Sequence, residues 1–379
     1  MIGLDGRRVY LDWNATAPLR AEARAAMLEA MDIVGNPSSV HSEGRAAKKI
    51  IERARSQVAE LLSADPAEIA FTSGATEAAA TILLGDDEYT AAEIEHPCIL
   101  DHLVDSSPSR MTDFHAFVDV AHSGRVQVTP KGRAWLEHRH ERVLCLQAAN
   151  SETGVRQAAS DSNVQGMRVL CDAVQAVGKV MLDDLVTGAE LALVSGHKLG
   201  AAKGVGALIQ RKPVPVEALL KGGGQEQGRR SGTENVIGIA GFGAAAAAAK
   251  RDLEAGLWDD VEKLRNILED GLEAVARDLI IFGREVPRLS NTSCFAVPGW
   301  KGETQVMSLD LAGFAVSAGS ACSSGKVRES RVLRAMGYDA LTASSAIRVS
   351  LGPTTTEAEI RAFLDAWTRL YRKRAERAA

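Results

Sequence analysis

The sequence contains few aromatic residues and no long uninterrupted apolar run. Phe, Trp and Tyr together make up 4% of its 379 residues. One long charge-free run, 236–249, consists mostly of alanine and glycine and is shorter than the roughly 18 residues that a membrane helix needs. The first residues also lack an apolar core of signal-peptide length. We therefore expect a cytoplasmic protein without a membrane segment.

Charge of one sign is not in excess, and the cysteines are not paired in sequence. Lys and Arg number 44 against 49 Asp and Glu, a net charge of −5, which excludes the basic surface typical of nucleic-acid-binding proteins. The five cysteines, at 98, 145, 171, 294 and 322, form no C-x-x-C pair, and the histidines form no H-x-x-x-H pair. Neither a disulfide framework nor a metal site is expected, so small molecules and proteins are the expected partners.

Short apolar runs that end in polar or glycine-rich segments alternate with helical patterns. The runs cover 68–71, 143–146, 168–171, 191–194 and 204–209. Helical periodicity is clearest in 45–62 and in 356–371. The alternation predicts an α/β fold with a buried, parallel sheet. The pattern changes after the alanine-rich stretch, which predicts a large domain over 13–250 and a smaller α+β domain over 251–379.

Polar residues follow several of the predicted strands, and the ends of parallel strands meet at one edge of a sheet. Segment 72–77 opens a helix whose N–H groups suit a phosphate, although an ordinary helix cap by Ser73 or Thr76 explains this segment better when it is taken alone. Lys198 follows another strand and can form a Schiff base with a carbonyl cofactor. Asp172, at a third strand end, can keep a pyridine nitrogen protonated. Phosphate loop, aspartate and lysine are three requirements of pyridoxal phosphate.

Three further residues are candidates with open alternatives. Cys322 lies in a loop of small residues, 317–325, and is either a reactive thiol or an inert exposed cysteine. Arg348 lies among apolar residues and needs an anion, either a structural carboxylate or that of a substrate. His96, taken alone, is better explained as a capped loop histidine. The glycine-rich segment 222–233 is either functional or a plain surface connection.

These residues occur in one order along nearly the whole chain. The matching stretches are Tyr10-Leu11-Asp12, Gly35-Asn36-Pro37-Ser38-Ser39 with His41, Phe71 to Glu77, Glu95-His96, Asn150 with Glu152 and Gly154, Asp172 to Gln175, Ser195-Gly196-His197-Lys198, Arg230 to Thr233, Gly319 to Cys322, and Ser350-Leu351-Gly352. In them the chain resembles the cysteine desulfurases of nitrogen fixation and iron–sulfur cluster assembly, which belong to the class V aminotransferase branch of the fold-type I pyridoxal-phosphate enzymes.

The resemblance implies a fold and a set of cofactor-binding residues. It implies a large, mainly parallel seven-stranded sheet domain that binds pyridoxal 5′-phosphate. It also implies a small domain on which residues 1–12 pack and which carries the cysteine loop 317–328. The implied cofactor contacts are Lys198 as the Schiff-base lysine, Asp172 at the pyridine nitrogen, Gln175 at the ring hydroxyl, His96 stacked on the ring and acting as an acid–base group, Asn150, the phosphate-binding Gly74, Ala75, Thr76, Ser195 and His197, and Thr233 from the other subunit.

The resemblance also implies a reaction and partners. Arg348, Asn150 and Asn36 would bind the substrate carboxylate, and Cys322 would accept the sulfur of L-cysteine as a persulfide, leaving L-alanine. A homodimer would pass this sulfur to an iron–sulfur scaffold or another acceptor protein, and Cys322 would touch a nascent cluster only transiently. The alternatives are a selenocysteine lyase and a catalytically silent subunit of a complex. A nicotinamide-dependent dehydrogenase is disfavoured because no G-x-G-x-x-G follows the first strand.

Overall fold

The structure, a computed structural model, describes residues 4, 6–85, 87–105, 117–137, 142–157, 167–181, 189–211, 214, 216–319 and 329–378. The strands in this part of the chain are β1 (Val9–Tyr10), β2 (Ile69–Thr72), β3 (Glu88–Ala91), β4 (Val118–Val120), β5 (Val126–Val128), β6 (Arg142–Gln147), β7 (Arg168–Asp172), β8 (Leu191–Ser195), β9 (Gly206–Gln210), β10 (Ile280–Ile281), β11 (Thr292–Ala296), β12 (Phe314–Ala315), β13 (Ser317–Ala318) and β14 (Ala346–Ser350).

Helices cover most of the remaining described residues. They are α1 (Ala21–Met31), α2 (Ser42–Leu62), α3 (Ala75–Leu83), α4 (Pro97–Asp105), α5 (Pro130–Glu137), α6 (Val236–Glu254), α7 (Leu257–Glu273), α8 (Gly302–Leu311), α9 (Arg331–Ala335), α10 (Ala340–Ser344) and α11 (Glu357–Ala378), with short 3₁₀ turns at Pro66–Glu68, Gly196–Lys198 and Gln225–Gly228. None of the described helices has the length and apolar character needed to cross a bilayer.

The central sheet contains all five of the apolar runs singled out in the sequence. Its order is β2-β9-β8-β7-β6-β3, and the pairs from β8 to β3 are parallel. The prediction of a mainly parallel sheet is therefore confirmed, with one exception. Strand β9 runs antiparallel to both neighbours, because the connection 196–205 is too short for the crossover of a dozen or more residues that parallel pairing needs. The resemblance implies seven strands, and the described residues supply six.

The alanine- and glycine-rich stretch forms helix α6, which packs against α1 and α2. A Cβ atom added at Gly243 would lie 2.5 Å from the Cα of Ala54 in α2, and one added at Gly241 would lie 2.7 Å from Met27 in α1. The small side chains thus allow three helices to approach closely on one face of the sheet. Helix α2 turns Ile51 and Val58 into the same core, as its 3.6-residue periodicity predicts.

A second sheet, of order β10-β11-β14-β13, is antiparallel throughout. The core beside it contains large side chains of α7, β11 and α11, among them Trp258, Phe295 and Trp367. Strand β1 pairs in parallel with β12, and Val9 and Leu11 belong to this second core. The division of the chain at residue 250 stays a prediction, because Phe282 packs into the core of the central sheet.

Candidate active site

The polar ends of the central strands surround one cavity of about 610 Å³. Strands β2, β3, β6, β7 and β8 all end at this edge, as the sequence predicts for parallel strands. The lining includes ten of the predicted site residues: Gly74, Ala75, Thr76, His96, Asp172, Gln175, Ser195, His197, Lys198 and Arg348. Residues that lie far apart in the sequence are thereby brought to one concave site.

The N-terminus of helix α3 forms one end of the cavity. Gly74 precedes the helix, and the strand beside it approaches so closely that a Cβ atom on Gly206 would lie 2.7 Å from the Gly74 Cα. The first N–H groups of a helix have no partner within the helix and carry the positive end of its dipole. With the hydroxyl of Thr76 and that of Ser195, a buried residue at the end of strand β8, this end of the cavity suits a phosphate group.

His197 lies at the same end and is held as a neutral ring. Burial lowers the pKa of His197 to about 4, and the charges of Lys198 and Lys203 lower it further. Its Nδ1 atom is 3.2 Å from the Thr16 hydroxyl. A neutral imidazole can donate one hydrogen bond to an anion without adding a charge that would need its own counter-ion.

Lys198 reaches across the cavity to the N-terminal segment. Its Nζ atom donates to the backbone carbonyl of Asn14 and, at 2.9 Å, to that of Ala15. Carbonyls that follow strand β1 thus hold the amine of a lysine that follows strand β8 of the central sheet. The amine is oriented before any ligand arrives.

Asp172 and His96 lie opposite this amine. Asp172 Oδ1 accepts a hydrogen bond of 2.9 Å from the Val174 N–H, and burial raises the pKa of this carboxyl although the charges of His96 and Lys198 oppose the rise. Among the described residues no cationic side chain forms an ion pair with Asp172. A buried carboxylate in this position favours a ligand that brings a protonated nitrogen.

His96 caps a helix and also lines the cavity. Its Nδ1 atom accepts a hydrogen bond of 3.1 Å from the Cys98 N–H, so it caps the start of helix α4 while its ring lines the cavity. Burial lowers the pKa of His96, and Asp172 partly offsets this effect. The neutral ring therefore carries its proton on Nε2.

Arg348 already has a structural carboxylate. Its Nη2 atom donates to Asp12 Oδ1 at 2.7 Å, and its Nη1 atom donates to the Ser151 carbonyl at 2.9 Å. The Nε atom is buried and has no hydrogen-bond partner among the described residues. The two contacts fix the guanidinium and use two of its five N–H groups, so other N–H groups are available to an anion.

The residues present fit pyridoxal phosphate. The cavity offers an anion site at the α3 N-terminus, an amine that can react with an aldehyde, and a carboxylate that lacks a cation. Among the described residues, no three His, Cys, Asp or Glu side chains are grouped to hold a metal. The phosphate, the aldehyde and the ring nitrogen of pyridoxal phosphate match the anion site, the amine and the carboxylate of the cavity.

Three predicted residues, Asn36, Asn150 and Thr233, do not line the cavity of this chain. Asn150 is buried and its amide is used internally, donating to the Ile94 carbonyl at 3.1 Å and accepting from the Thr153 N–H at 2.9 Å. Asn36 and Thr233 are exposed. Cys322 lies outside the described residues. The assigned roles of these four residues stay predictions.

Other residues around the site were not singled out in the sequence. Asn14 is 1% exposed and lines the cavity, together with Thr16, Cys98, Gln147, Ser151 and Lys203. Behind it lies the buried amine of Lys179, which contacts Asn14 and Gln175. The one sequence signal for Lys179 is its spacing of four residues from Gln175, which places two side chains on one face of a helical turn.

Comparisons with known proteins identify the family of the chain. The chain matches the family model described as aminotransferase class-V over residues 9–363. It is 41% identical over 374 residues to a cysteine desulfurase of Cereibacter sphaeroides, covering 94% of each chain. It is 36% identical over 375 residues to an IscS-like cysteine desulfurase of Mycobacterium tuberculosis, again covering 94% of each chain. A solved NifS-like protein from Rickettsia africae is 30% identical, with a TM-score of 0.83 over 96% of this chain and 99% of that one. The chain therefore belongs to the class-V aminotransferase family.

Proposed function

We propose that the protein is a pyridoxal-phosphate-dependent cysteine desulfurase, which converts L-cysteine to L-alanine and transfers the sulfur to Cys322. One observation carries the proposal: Lys198, Asp172 and the N-terminus of helix α3 line a single cavity. The names of the relatives at 36–41% identity supply the substrate. Selenocysteine stays an alternative substrate, to be compared with cysteine in the same assay.

Bound pyridoxal phosphate supplies an aldehyde that condenses with amines and a ring that takes up the electron pair of a broken bond. The protein's residues prepare this chemistry. Asp172 keeps the proton on the ring nitrogen, and His96 packs on the ring. The helix N-terminus at Gly74, with Thr76 and His197, holds the phosphate.

Lys198 would hold the cofactor through its amine in the resting protein. Once the substrate is bound, the free Lys198 amine would take the proton from the substrate α-carbon. Its position is defined by the carbonyls of Asn14 and Ala15, which accept its hydrogen bonds. This tether keeps the amine close to the reacting carbon instead of in solvent.

Arg348 lines the cavity and would bind the substrate carboxylate through N–H groups that Asp12 and Ser151 do not use. The Asp12 and Ser151 contacts hold the guanidinium plane, so the α-carbon is placed in one orientation. The resemblance also assigns Asn36 and Asn150 to this carboxylate. Orientation of this kind decides which bond of the amino acid breaks.

The sulfur leaves by attack of the Cys322 thiolate on the substrate sulfur. The new bond joins the two sulfur atoms, and the bond between the substrate sulfur and its β-carbon breaks. The electron pair left on the β-carbon takes a proton, so alanine is released and the sulfur remains as a persulfide on Cys322. A thiol or an acceptor protein then removes it.

The partners follow from the same proposal. Thr233 and Asn36 are exposed in the isolated chain, and the apolar side chains of Val34 and Val40 are 94% and 87% exposed. A second copy of the chain that covers this region and supplies Thr233 to the neighbouring phosphate site would account for both facts. The dimer would act in the cytoplasm and deliver sulfur to an iron–sulfur scaffold or another acceptor protein.

The proposal is tested with the protein reconstituted with pyridoxal phosphate and supplied with L-cysteine and dithiothreitol. We expect visible absorption from the bound cofactor and equal amounts of alanine and sulfide. Lys198→Ala should lose the absorption of the covalently held cofactor. Cys322→Ala should keep it and lose sulfide release by about 100-fold or more, because no nucleophile is left.

Cys145→Ala is the matched control. The Cys145 thiol is buried and burial raises its pKa, so this variant should release sulfide at the normal rate. Mass spectrometry after a brief exposure to cysteine should find one extra sulfur on the peptide that contains Cys322. Normal sulfide release by Cys322→Ala, or a colourless reconstituted wild type, would contradict the proposal.

A further inference from the structure

Lys179 is a buried amine for which the proposed reaction has no use. It is 4% exposed and follows Gly178, which has a φ of +72° and no room for a side chain, since a Cβ atom there would lie 2.5 Å from Leu199. This turn returns the chain beneath the cavity. It places the lysine side chain behind Gln175 instead of in solvent.

The amine of Lys179 makes two hydrogen bonds, both to side-chain amides. It donates to Gln175 Oε1 and to Asn14 Oδ1, each at 3.0 Å. Gln175 in turn donates from Nε2 to the Asn14 carbonyl at 3.0 Å, and the same carbonyl accepts from Lys198. Lys179 is therefore connected to the cofactor lysine through two intermediates.

A side-chain amide can present either its oxygen or its NH₂ group to the same place, because the two are nearly equal in size. Lysine offers only donors at its amine when charged. The Gln175 oxygen must therefore face Lys179, and the Gln175 NH₂ group must face the other way, towards the Asn14 carbonyl and the cavity. A reversed amide would lose both hydrogen bonds.

The surroundings of Lys179 favour its role as a hydrogen-bond donor to Gln175 over a role as one partner of an ion pair. The described residues include no carboxylate in an ion pair with it. Burial, followed by the charges of Lys198 and Arg348, holds the pKa of Lys179 well below its usual range. The neutral amine still has two hydrogens for its two donor contacts, and the Asn14 carbonyl, which can only accept, disfavours the reversed Gln175 amide in either protonation state.

The side chain of Asn14 is fixed in the same way from the opposite side. Its oxygen also accepts from Asn291 Nδ2 at 3.0 Å, and its nitrogen donates to the Thr292 hydroxyl at 2.9 Å. Lys179 therefore links the large sheet to the strand β11 region through Asn14. Both amides that face Lys179 have a single allowed orientation.

We propose that Lys179 is a positioning residue that orients the Gln175 amide, so that its NH₂ group donates towards the ring oxygen of the cofactor. The inference rests on the proposed function, since Gln175 acts only on a bound ring. A donor beside a phenolate oxygen stabilises the deprotonated form of the cofactor linkage. Loss of Lys179 should therefore raise the pH midpoint of the visible absorption change.

The test compares absorption titrations of reconstituted wild type, Lys179→Met, Gln175→Leu and the double variant. Methionine has a similar length and no donor. We expect Lys179→Met and Gln175→Leu each to raise the midpoint by about one pH unit, which corresponds to about 1.4 kcal/mol. In the Gln175→Leu background, Lys179→Met should add no further shift, because the residue through which it acts is gone.

Two controls separate positioning from loss of stability or of charge. Leu272→Ala, in the core of the smaller domain, should lower the melting temperature and leave the midpoint unchanged. Lys250→Met, on the exposed side of helix α6, should change neither. An unchanged midpoint in Lys179→Met overturns the inference, and so does an equal further shift in the Gln175→Leu background.

If Lys179→Met does not fold, Lys179→Gln carries the comparison. Glutamine presents either a donor or an acceptor, so it permits both orientations of Gln175. We expect a midpoint between those of wild type and Gln175→Leu, and a wild-type midpoint overturns the inference. A wild type that binds no pyridoxal phosphate contradicts the proposed function itself, whereas wild-type binding with an unmoved midpoint contradicts only the role of Lys179.

Discussion

Glu152 should make the stability of the cofactor-free protein fall as the pH rises. Burial raises the pKa of its carboxyl to about 7 from the ordinary value of 4.5, although the Ser330 hydroxyl, Arg348 and Arg331 lower it. The folded state therefore holds a proton that the unfolded state has lost. The stability that this carboxyl contributes is fully present below its pKa in the unfolded state, and it is lost as the pH rises through its pKa in the folded state.

The size of the effect follows from the two pKa values. A difference of one unit corresponds to about 1.4 kcal/mol, so the shift to about 7 corresponds to about 3 kcal/mol over the whole range. The side chain is only partly buried, which reduces the expected loss to about 2 kcal/mol between pH 5 and pH 8. Glu152→Gln cannot ionise and should not show this loss.

The measurement is urea unfolding of wild type and Glu152→Gln at about pH 5 and about pH 8. Other groups titrate in both proteins, so the difference in unfolding free energy between Glu152→Gln and wild type is compared at the two pH values. This difference should change by about 2 kcal/mol in favour of the variant at the higher pH. Ser330→Ala is the second comparison. Its hydroxyl donates to Glu152, so its removal should raise the pKa of Glu152 and move the loss to higher pH. Parallel curves for wild type and Glu152→Gln would refute the reasoning.

Two further substitutions test how the loops around the cavity are held. Arg55→Met removes the guanidinium that donates to the buried carboxylate of Glu226 at 2.7 Å. Because this carboxylate then lacks its cation, the free energy of unfolding, measured in urea, should fall by about 3–5 kcal/mol. A loss below about 1 kcal/mol would contradict this expectation. Gly206→Ala should weaken pyridoxal phosphate binding about tenfold in a titration, because its Cβ atom would meet the Gly74 Cα at 2.7 Å. Gly224→Ala, with open space around it, is the control, and equal affinities of the two variants would contradict the assigned packing.

The sequence predicts the strand ends well because each buried strand is a short apolar run followed by a polar residue. This pattern predicts that Asp172 and Lys198 lie at the same edge of the sheet. The direction of β9 is not visible in such a run, because an apolar strand looks alike in both directions. Only the length of the connection 196–205 decides it.

Contacts between distant segments are the part that the sequence does not reveal. The sequence shows Arg348 as a cation that needs an anion, but it does not show which one. Asp12 is the partner because it pairs with Ser350 at the end of strand β14 in the second sheet. Lys179 is inconspicuous because its burial depends on Asn14 and on the turn at Gly178. The cysteine loop could be placed in the sequence, and the role of Cys322 stays a prediction because that residue lies outside the described part of the chain.

The pairing of the first strand has a consequence for the order of assembly during synthesis. Val9 pairs with Phe314, and Asp12 with Ser350, so these two pairings can form only after more than 300 further residues have left the ribosome. A nascent chain can complete its central sheet earlier, and Asn14 can already dock on Gln175 and Lys179 at that stage. The contact of Asp12 with Arg348 must wait for the later strands, so the part of the cavity that recognises a carboxylate should be the last to be assembled.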